Sequence, residues 1–254
     1  MGGAGSTGIW GATVGGIEEA IRVAEKAPAQ SFLIAPEVIQ AVVYLNYTLE
    51  LSRMGRHAEA RAAADRGLEF AGRHADGRYM EVALLRIRSQ SMAAAGDSAG
   101  ALADIRRAAE LAPGVVNLFE QFRLRTLLAG RLADAGQKEE AARLLAAVLP
   151  EARRRAPEIG PSYWMLVADG AEVYGRIGFC NEVFALYGEA EELTRGKMPR
   201  SWRGNRLFYE AECYARTNQA KAAEWAEQAL QAYGELLSVG SKRRTRLEEL
   251  RKVR

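Results

Sequence analysis

The chain has 254 residues, of which 48% are hydrophobic and 26% are charged, a balance that excludes an intrinsically disordered protein. Its formal net charge of +3 is unevenly placed, because residues 242–254 carry seven basic and two acidic residues, a charge of +5, and the rest of the chain sums to −2. The basic character therefore belongs to the C-terminal segment.

No apolar run approaches the roughly 18 residues that a membrane-spanning helix needs. Residues 1–16 include seven glycines and lack the pattern of a signal peptide, so we expect a flexible N-terminal segment there. The two cysteines, Cys180 and Cys213, lie in predicted helices without the spacing of a metal or redox motif. We therefore expect a cytoplasmic protein with reduced cysteines and no association with membranes.

A small residue closes a helix-period apolar stretch every 40 to 42 residues. The turn positions are Gly15, Gly55, Gly96, Gly136, Gly178 and Asn218. A steady period indicates stacked copies of one supersecondary unit, and short turns inside each unit predict antiparallel neighbours.

Strand-forming residues are sparse, whereas Ala, Leu, Arg and Glu dominate, so the units are predicted to be helix pairs. A first helix is predicted over 17–27 and a last one over about 241–253. The pairs between them are predicted over 37–54 and 57–73, 78–95 and 98–112, 116–135 and 138–155, 162–177 and 180–195, and 201–217 and 220–237.

Small residues recur at fixed distances from the turns. Seven residues before the turn stand Thr48, Ser89, Ala129, Ala171 and Ala211. Five residues after it stand Ala20, Ala60, Ala101, Ala141 and Val183, with Ala222 or Ala223 in the last unit. We expect these side chains to let the paired helices approach closely where they cross.

This pattern resembles the tetratricopeptide repeat (TPR), and the match is best over 89–113, where AAAGDSAGALADIRRAAELAP ends at Pro113. The period differs, being near 40 here against about 34 in that family. The resemblance implies an all-α fold, a right-handed superhelix (α-solenoid) of helical hairpins over 17–237, whose first helices line a concave groove.

The closing stretch, residues 215–254, is similar to the C-terminal end of actinobacterial helix-turn-helix transcriptional regulators. There a last repeat runs through Gly-Ser, here Gly240-Ser241, into an Arg/Leu-rich capping helix. The resemblance implies such a helix over 238–254, with Leu247, Leu250 and Val253 as its apolar edge. Because about 16 residues precede the first predicted helix, we expect a sensor-like region without a DNA-binding domain.

Catalytic motifs are absent from the sequence. The two histidines, His57 and His74, lie 17 residues apart, and no cluster has metal-ligand spacing. No phosphate-binding loop, dinucleotide fingerprint or nucleophile elbow stands out. We therefore predict a protein that is not an enzyme and has no cofactor or metal.

The family places groove residues at fixed positions in the first helix of each pair. Here these are Asn46, Arg86, Gln90, Arg123, Thr126, Asp169, Glu172, Phe208, Tyr209 and Glu212, with cationic residues early and acidic and aromatic ones late. Such a groove suits an extended peptide whose carboxylate Arg86 and Arg123 would hold. The alternative is that salt bridges between helices pair these charges.

Two basic segments are candidate contact surfaces. One, predicted as a partner-contacting loop, contains Arg200, Trp202, Arg203 and Arg206. The other is the tail from Lys242 to Arg254, which is a solvated helix face, a nucleic-acid contact or a docking site for an acidic partner.

We predict a non-catalytic binding module, regulatory in role, that recognises a peptide or protein partner on its concave face. Two alternatives remain open: a protein–protein scaffold without a small ligand, and a fragment of a transcription regulator that contacts nucleic acid through its basic tail. A homodimer also remains open.

Overall fold

The computed structural model describes residues 15–16, 18–19, 22–23, 35–237 and 241–252, and every secondary-structure element in that part of the chain is helical. The α-helices from residue 35 onward are α1 Pro36–Arg53, α2 His57–Ala71, α3 Arg78–Ala94, α4 Ser98–Leu111, α5 Leu118–Asp134, α6 Lys138–Arg154, α7 Ala156–Ile159, α8 Tyr163–Ile177, α9 Cys180–Thr194, α10 Arg200–Tyr214, α11 Gln219–Tyr233 and α12 Lys242–Lys252. Short 3-10 helices lie at Ala75–Gly77, Gly160–Ser162 and Gly234–Leu236. For the described residues, the all-α prediction is confirmed.

The predicted helices from residue 37 onward are all present, with ends that differ by a few residues. The short helix α7 was not predicted. Most of the predicted helix 17–27 and of the glycine-rich segment 1–16 lies outside the described residues. Gly15 and Gly16 are themselves helical, so Gly15 does not form the first turn as predicted.

Four of the predicted turns contain a glycine in the left-handed backbone region. Gly55, Gly96, Gly136 and Gly178 have φ values of 74°, 88°, 79° and 89°. Glycine adopts this conformation without the steric cost that a Cβ atom imposes. Asn218 is different: its φ is −152°, and its side-chain oxygen accepts a hydrogen bond from the Lys221 N–H at 3.0 Å, which caps α11.

The small residues at the predicted crossing positions are buried. Ala60, Ala101, Ala141 and Val183 are fully inaccessible to solvent, as are Thr48, Ala129, Ala171 and Ala211. Helices α1 and α2, α3 and α4, α8 and α9, and α10 and α11 pack as neighbouring pairs. For these four pairs, the predicted close approach of paired helices is confirmed.

The contacts divide the chain into two compact units, Met1–Leu124 and Arg125–Arg254. In the first unit, a core cluster contains Tyr44, Leu51 and Phe70. Within the units, each helix packs chiefly on its neighbours along the chain.

In the second unit, α12 packs on α11. Leu247 and Leu250 are 0% and 5% exposed and share a core cluster with Tyr233, as the predicted apolar edge requires. The third member of that edge, Val253, lies outside the described residues, as do residues 238–240.

The cysteines form a disulfide bond, so the prediction of reduced, separately packed thiols is wrong. Cys180 begins α9 and Cys213 lies near the end of α10, and their Cα atoms are 5.5 Å apart, a separation typical of disulfides. The sequence separation of 33 residues conceals this proximity, because the fold brings the start of one helix beside the end of the next.

No helix in the described part of the chain has both the length and the apolar character that a membrane span requires.

Reduction of the disulfide should lower the free energy of unfolding by at most roughly 3–4 kcal/mol, because the bond closes a long loop in the unfolded chain. Urea denaturation with and without a reducing agent measures this change. The double variant C180S/C213S should show the lower midpoint under both conditions. Equal midpoints for the oxidised wild type and the double variant would contradict the prediction.

Candidate functional site

An arginine from the last helix is enclosed by aromatic rings in the second unit. The guanidinium carbon of Arg243 lies 4.8 Å from the ring centroid of Phe208, 5.6 Å from that of Tyr209 and 5.9 Å from that of Tyr233. These separations are those of cation–π contacts. We call Phe208, Tyr209 and Tyr233 the aromatic cage.

Hydrogen bonds hold both ends of the Arg243 guanidinium. Nη1 donates to Oδ1 of Asn205 at 2.6 Å and to Oη of Tyr233 at 2.9 Å, and Nη2 donates to Oη of Tyr209 at 3.4 Å. Asn205 in turn donates through Nδ2 to the carboxylate of Glu172. The planar fork of an arginine is thus matched by acceptors as well as by rings.

Glu172, predicted as a ligand-binding carboxylate, is engaged inside its own unit. Its side chain is 12% exposed, and Nη2 of Arg176 lies 3.8 Å from its carboxylate. Burial raises the pKa of Glu172, while Arg176 and Arg243 oppose that rise. Arg176 also contacts Oδ1 of Asp134 at 3.3 Å and Oη of Tyr209 at 3.4 Å. Glu172 is therefore engaged by Arg176 of its own helix and by Asn205 of α10.

Two helical glycines make room for the rings of the cage. A Cβ atom on Gly175 would lie within 3.0 Å of the Tyr209 ring, and one on Gly204 within 3.0 Å of the Tyr233 ring. Real Cβ atoms do not approach other atoms so closely, so the absence of a side chain at these positions lets the rings pack against helices α8 and α10.

Thr126, Asp169 and Glu172, all predicted groove residues, come together around one small cavity of about 50 Å³. Arg131 and Arg176 complete its polar lining. Nη1 of Arg131 donates to Asp134 at 2.6 Å. The space fits a few water molecules and not a peptide side chain.

Glu212 is also paired, since its carboxylate accepts from Nε and Nη2 of Arg246 at 2.6 and 3.2 Å. Of the residues predicted for the later part of the groove, Glu172, Glu212, Phe208 and Tyr209 contact other side chains of the second unit, and Asp169 also has an interaction partner. The pair of Glu212 and Arg246 joins two helices, as the alternative of salt bridges between helices predicts.

In the first unit, the predicted groove residue Arg86 has different surroundings from the paired residues above. This half-buried side chain lines a cavity of about 30 Å³. The other lining residues are Tyr79, Val82, Ala83, Val116, Glu120 and Leu124. Burial lowers the pKa of Arg86, Glu120 opposes that shift, and Arg123 adds to it. Among the residues that the structure describes, no side chain forms a hydrogen bond or an ion pair with this guanidinium.

Neighbouring arginines of the same unit are paired. Arg88 donates from Nε and Nη2 to the two carboxylate oxygens of Asp104, at 2.7 Å each, and also contacts Asp65. Arg123 lies 3.5 Å from Glu120 and 5.9 Å from the ring centroid of Phe119. Of Arg86, Arg88 and Arg123, Arg86 alone lacks a carboxylate within 4.0 Å in the described part of the chain.

The two remaining predicted groove residues of the first unit make few contacts. Asn46 is exposed, and its Nδ2 donates to the Val42 carbonyl of its own helix at 3.1 Å. Gln90 is half-buried and lies one helical turn after Arg86 on α3, so both residues share one face.

The predicted basic loop is not a loop. Helix α10 begins at Arg200, directly after Pro199, so Arg200, Trp202, Arg203 and Arg206 lie in its first two turns. The physical reason is that the fixed φ of proline suits a helix start. A spacing of three residues places the three arginines along one side of the helix.

These side chains contact carboxylates, an aromatic ring and backbone carbonyls. Arg206 pairs with Glu210 at 2.9 Å and with Glu191, and the Trp202 ring lies edge-on to Trp164 at 5.3 Å between centroids. Arg200 and Arg203 each donate to a backbone carbonyl at 3.4 Å, those of Ala232 and Gly196.

Most arginines of the basic tail are also engaged. Arg244 pairs with Glu248 at 3.1 Å, and Arg251 pairs with Glu227 at 3.1 Å. With Arg243 in the aromatic cage and Arg246 on Glu212, four tail arginines have partners in the second unit. This pairing reduces the cationic surface that the tail offers to nucleic acid.

Sequence reasoning missed the role of Arg243, because the residue was counted as one of a run of charges. A partial signal was present on α10, where Asn205, Phe208 and Tyr209 stand at positions i, i+3 and i+4 and so share one face. Nothing in the spacing linked that face to a residue 34 positions further on.

No group of three or more His, Cys, Asp or Glu side chains in the described residues is arranged to hold a metal ion. In comparisons with known proteins, no family model matches the chain and no curated protein is significantly similar to it. Function is therefore argued from the geometry of the two units.

The aromatic cage should respond to crowding at its glycines. Gly204→Ala should lower the free energy of unfolding by about 1–3 kcal/mol, because the added methyl group overlaps the Tyr233 ring. Gly188→Ala on α9 is the matched control, since nothing lies within 4 Å of its added Cβ atom. That control should raise the free energy of unfolding by up to about 1 kcal/mol, because alanine favours the helix. Urea denaturation of both variants measures the difference, and equal effects would contradict the packing described.

Proposed function

We propose that this chain is a non-catalytic, TPR-like binding module with a regulatory role, and that it recognises a peptide or protein partner through an anionic group held by Arg86. The observation that carries the proposal is the half-buried guanidinium of Arg86, which lines a cavity of the first unit without a salt bridge to any described residue. Glu120 lines the same cavity and attracts this cation without forming a salt bridge to it, so a ligand anion could form the direct pair that Glu120 does not.

The surroundings of Arg86 favour a carboxylate. Val82, Ala83 and Leu124 line the cavity with apolar groups, which strengthens a charge-assisted hydrogen bond. A guanidinium presents parallel donors that match the two oxygens of a carboxylate. A peptide carries such a carboxylate at its C-terminus or on Asp and Glu.

The chemistry of the Arg86 guanidinium also supports a role in ligand recognition in preference to catalysis. A guanidinium stays protonated in proteins and cannot serve as a general base. The contacts expected of it are therefore attraction and orientation of an anion.

The helix pairs, with glycine at four turns and small buried residues at the crossings, support the proposal of a TPR-like array. A scaffold without a small ligand would use the same Arg86 cavity. Contact with nucleic acid through the tail has weaker support, because Arg243, Arg246 and Arg251 are engaged within the second unit.

A site kept for a ligand is expected to contribute little to stability. Arg86→Met should leave the free energy of unfolding unchanged or slightly raised, because it removes a cation that no carboxylate pairs. Arg88→Met, two positions away on the same helix, should lower it by about 2–4 kcal/mol, because it leaves the buried Asp104 unpaired. Urea denaturation of both variants checks this contrast. A large loss for Arg86→Met would mean that Arg86 is a structural residue.

Ligand binding is tested with a pool of synthetic hexapeptides that have free C-terminal carboxylates or carry Asp or Glu, beside the same sequences with amidated termini. The wild type should retain carboxylate-bearing members, and Arg86→Ala should weaken binding about 10- to 100-fold, which corresponds to the loss of a hydrogen-bonded charge pair. Arg106→Ala, at an exposed position on α4, is the control and should bind as the wild type does. Capture of no peptide by the wild type, or unchanged binding by Arg86→Ala, would contradict the proposal.

A further inference from the structure

The aromatic cage, with Asn205 and Glu172 behind it, is a complete set of groups for binding a guanidinium, and its occupant comes from a separate helix. We propose that the cage is a binding site for an arginine side chain of a partner peptide, and that Arg243 occupies the site in its place in the conformation described. This site is independent of Arg86, which would take an anion.

The walls of the cage belong to other helices than the one that fills it. Asn205, Phe208 and Tyr209 belong to α10 and Tyr233 belongs to α11, whereas Arg243 belongs to α12. Tyr209 and Tyr233 are 5% and 4% exposed and pack against helical glycines. The contacts with Gly175 and Gly204 help to position Tyr209 and Tyr233 without Arg243, and a preorganised site binds its ligand at a lower entropic cost.

The geometry selects a guanidinium over an ammonium. The group lies near the Phe208 ring at 4.8 Å while its two terminal nitrogens reach Asn205, Tyr233 and Tyr209. A flat cation with donors at its edge can make ring contacts and hydrogen bonds at once, whereas the compact ammonium of lysine lacks this fork. Glu172, hydrogen-bonded to Asn205, adds negative charge behind the acceptors.

Arg243 can leave the cage without release of the whole helix. It lies in the first turn of α12, whereas the buried anchors Leu247 and Leu250 come one and two turns later. Its side chain is half-buried and has several rotatable bonds, so rotation about them can vacate the cage while both leucines stay in the core. Surface ion pairs elsewhere on α12, such as Arg251 with Glu227, are weak in water.

A tethered occupant competes strongly with a free ligand. Its effective concentration is on the order of millimolar, so a single guanidinium should bind the wild type weakly. A partner peptide would displace Arg243 by adding contacts beside its arginine.

The test removes Arg243 from the cage and supplies an arginine peptide as the ligand. Arg243→Ala is titrated with acetyl-Gly-Arg-Gly amide and, as a comparison, with acetyl-Gly-Lys-Gly amide, while tyrosine fluorescence and the melting temperature are recorded. The arginine peptide should bind saturably and raise the melting temperature, with an affinity at least about tenfold higher for Arg243→Ala than for the wild type. The lysine peptide should have no comparable effect. Arg251→Ala, on the same helix but in an exposed ion pair, should behave as the wild type does.

Several results would overturn the proposal. One is the absence of any response from Arg243→Ala when its circular dichroism shows a folded helical protein. Another is an equal response from Arg243→Ala, Arg251→Ala and the wild type, which would place binding outside the cage. Adding Phe208→Leu to Arg243→Ala should abolish the response. Unchanged binding by this double variant would also overturn the proposal.

One further variant and one further ligand complete the test. If Arg243→Ala does not fold, Arg243→Lys keeps a cation on a similar stem, and the arginine peptide should still raise its melting temperature; no rise would overturn the proposal. Methylguanidinium separates the sources of the ligand. Tighter binding of the peptide supports a peptide partner, whereas tighter binding of methylguanidinium would assign the cage to a small guanidine and overturn the peptide part.

Discussion

The close approach of paired helices at small residues is the constraint on which the rest of the structure depends. Fully buried residues such as Ala60, Ala101 and Ala211 stand where helices cross, and larger side chains there would hold the helices apart. The same constraint acts at Gly175 and Gly204, where the absence of a Cβ atom lets two tyrosine rings lie against helices. The backbone spacing therefore determines where the cage residues can meet.

Charge is handled differently in the two units. In the second, Glu172, Glu212 and Arg243 are held by neighbours that offset the cost of removing them from water. In the first, Arg88 is paired by two aspartates, whereas Arg86 on the same helix has no such partner. A half-buried cation without a salt bridge to any described residue contributes little to stability, which is why we propose that Arg86 serves binding.

The C-terminal helix α12 packs on the core and also carries the arginines of the tail, and composition alone did not separate these two roles. Leu247 and Leu250 join it to the core, as an apolar edge on a charged helix implies. Its arginines do not form one undivided cationic surface, because Arg243 enters the aromatic cage and Arg246 and Arg251 pair with carboxylates. A run of charged residues in a sequence therefore does not show which charges stay exposed, because this depends on the side chains that face them from neighbouring helices.

The sequence by itself determined the local features: the helix positions, the left-handed glycines at Gly55, Gly96, Gly136 and Gly178, and the buried small residues. These depend on the spacing along the chain and on the backbone freedom of single residues, both of which a sequence displays. The tertiary structure alone decided that Cys180 meets Cys213, that Glu212 meets Arg246, that Arg243 fills the cage and that Arg86 forms no salt bridge to a described residue. These outcomes depend on distances between residues that lie on different helices, often more than 30 positions apart, and such distances exist only once the helices have packed.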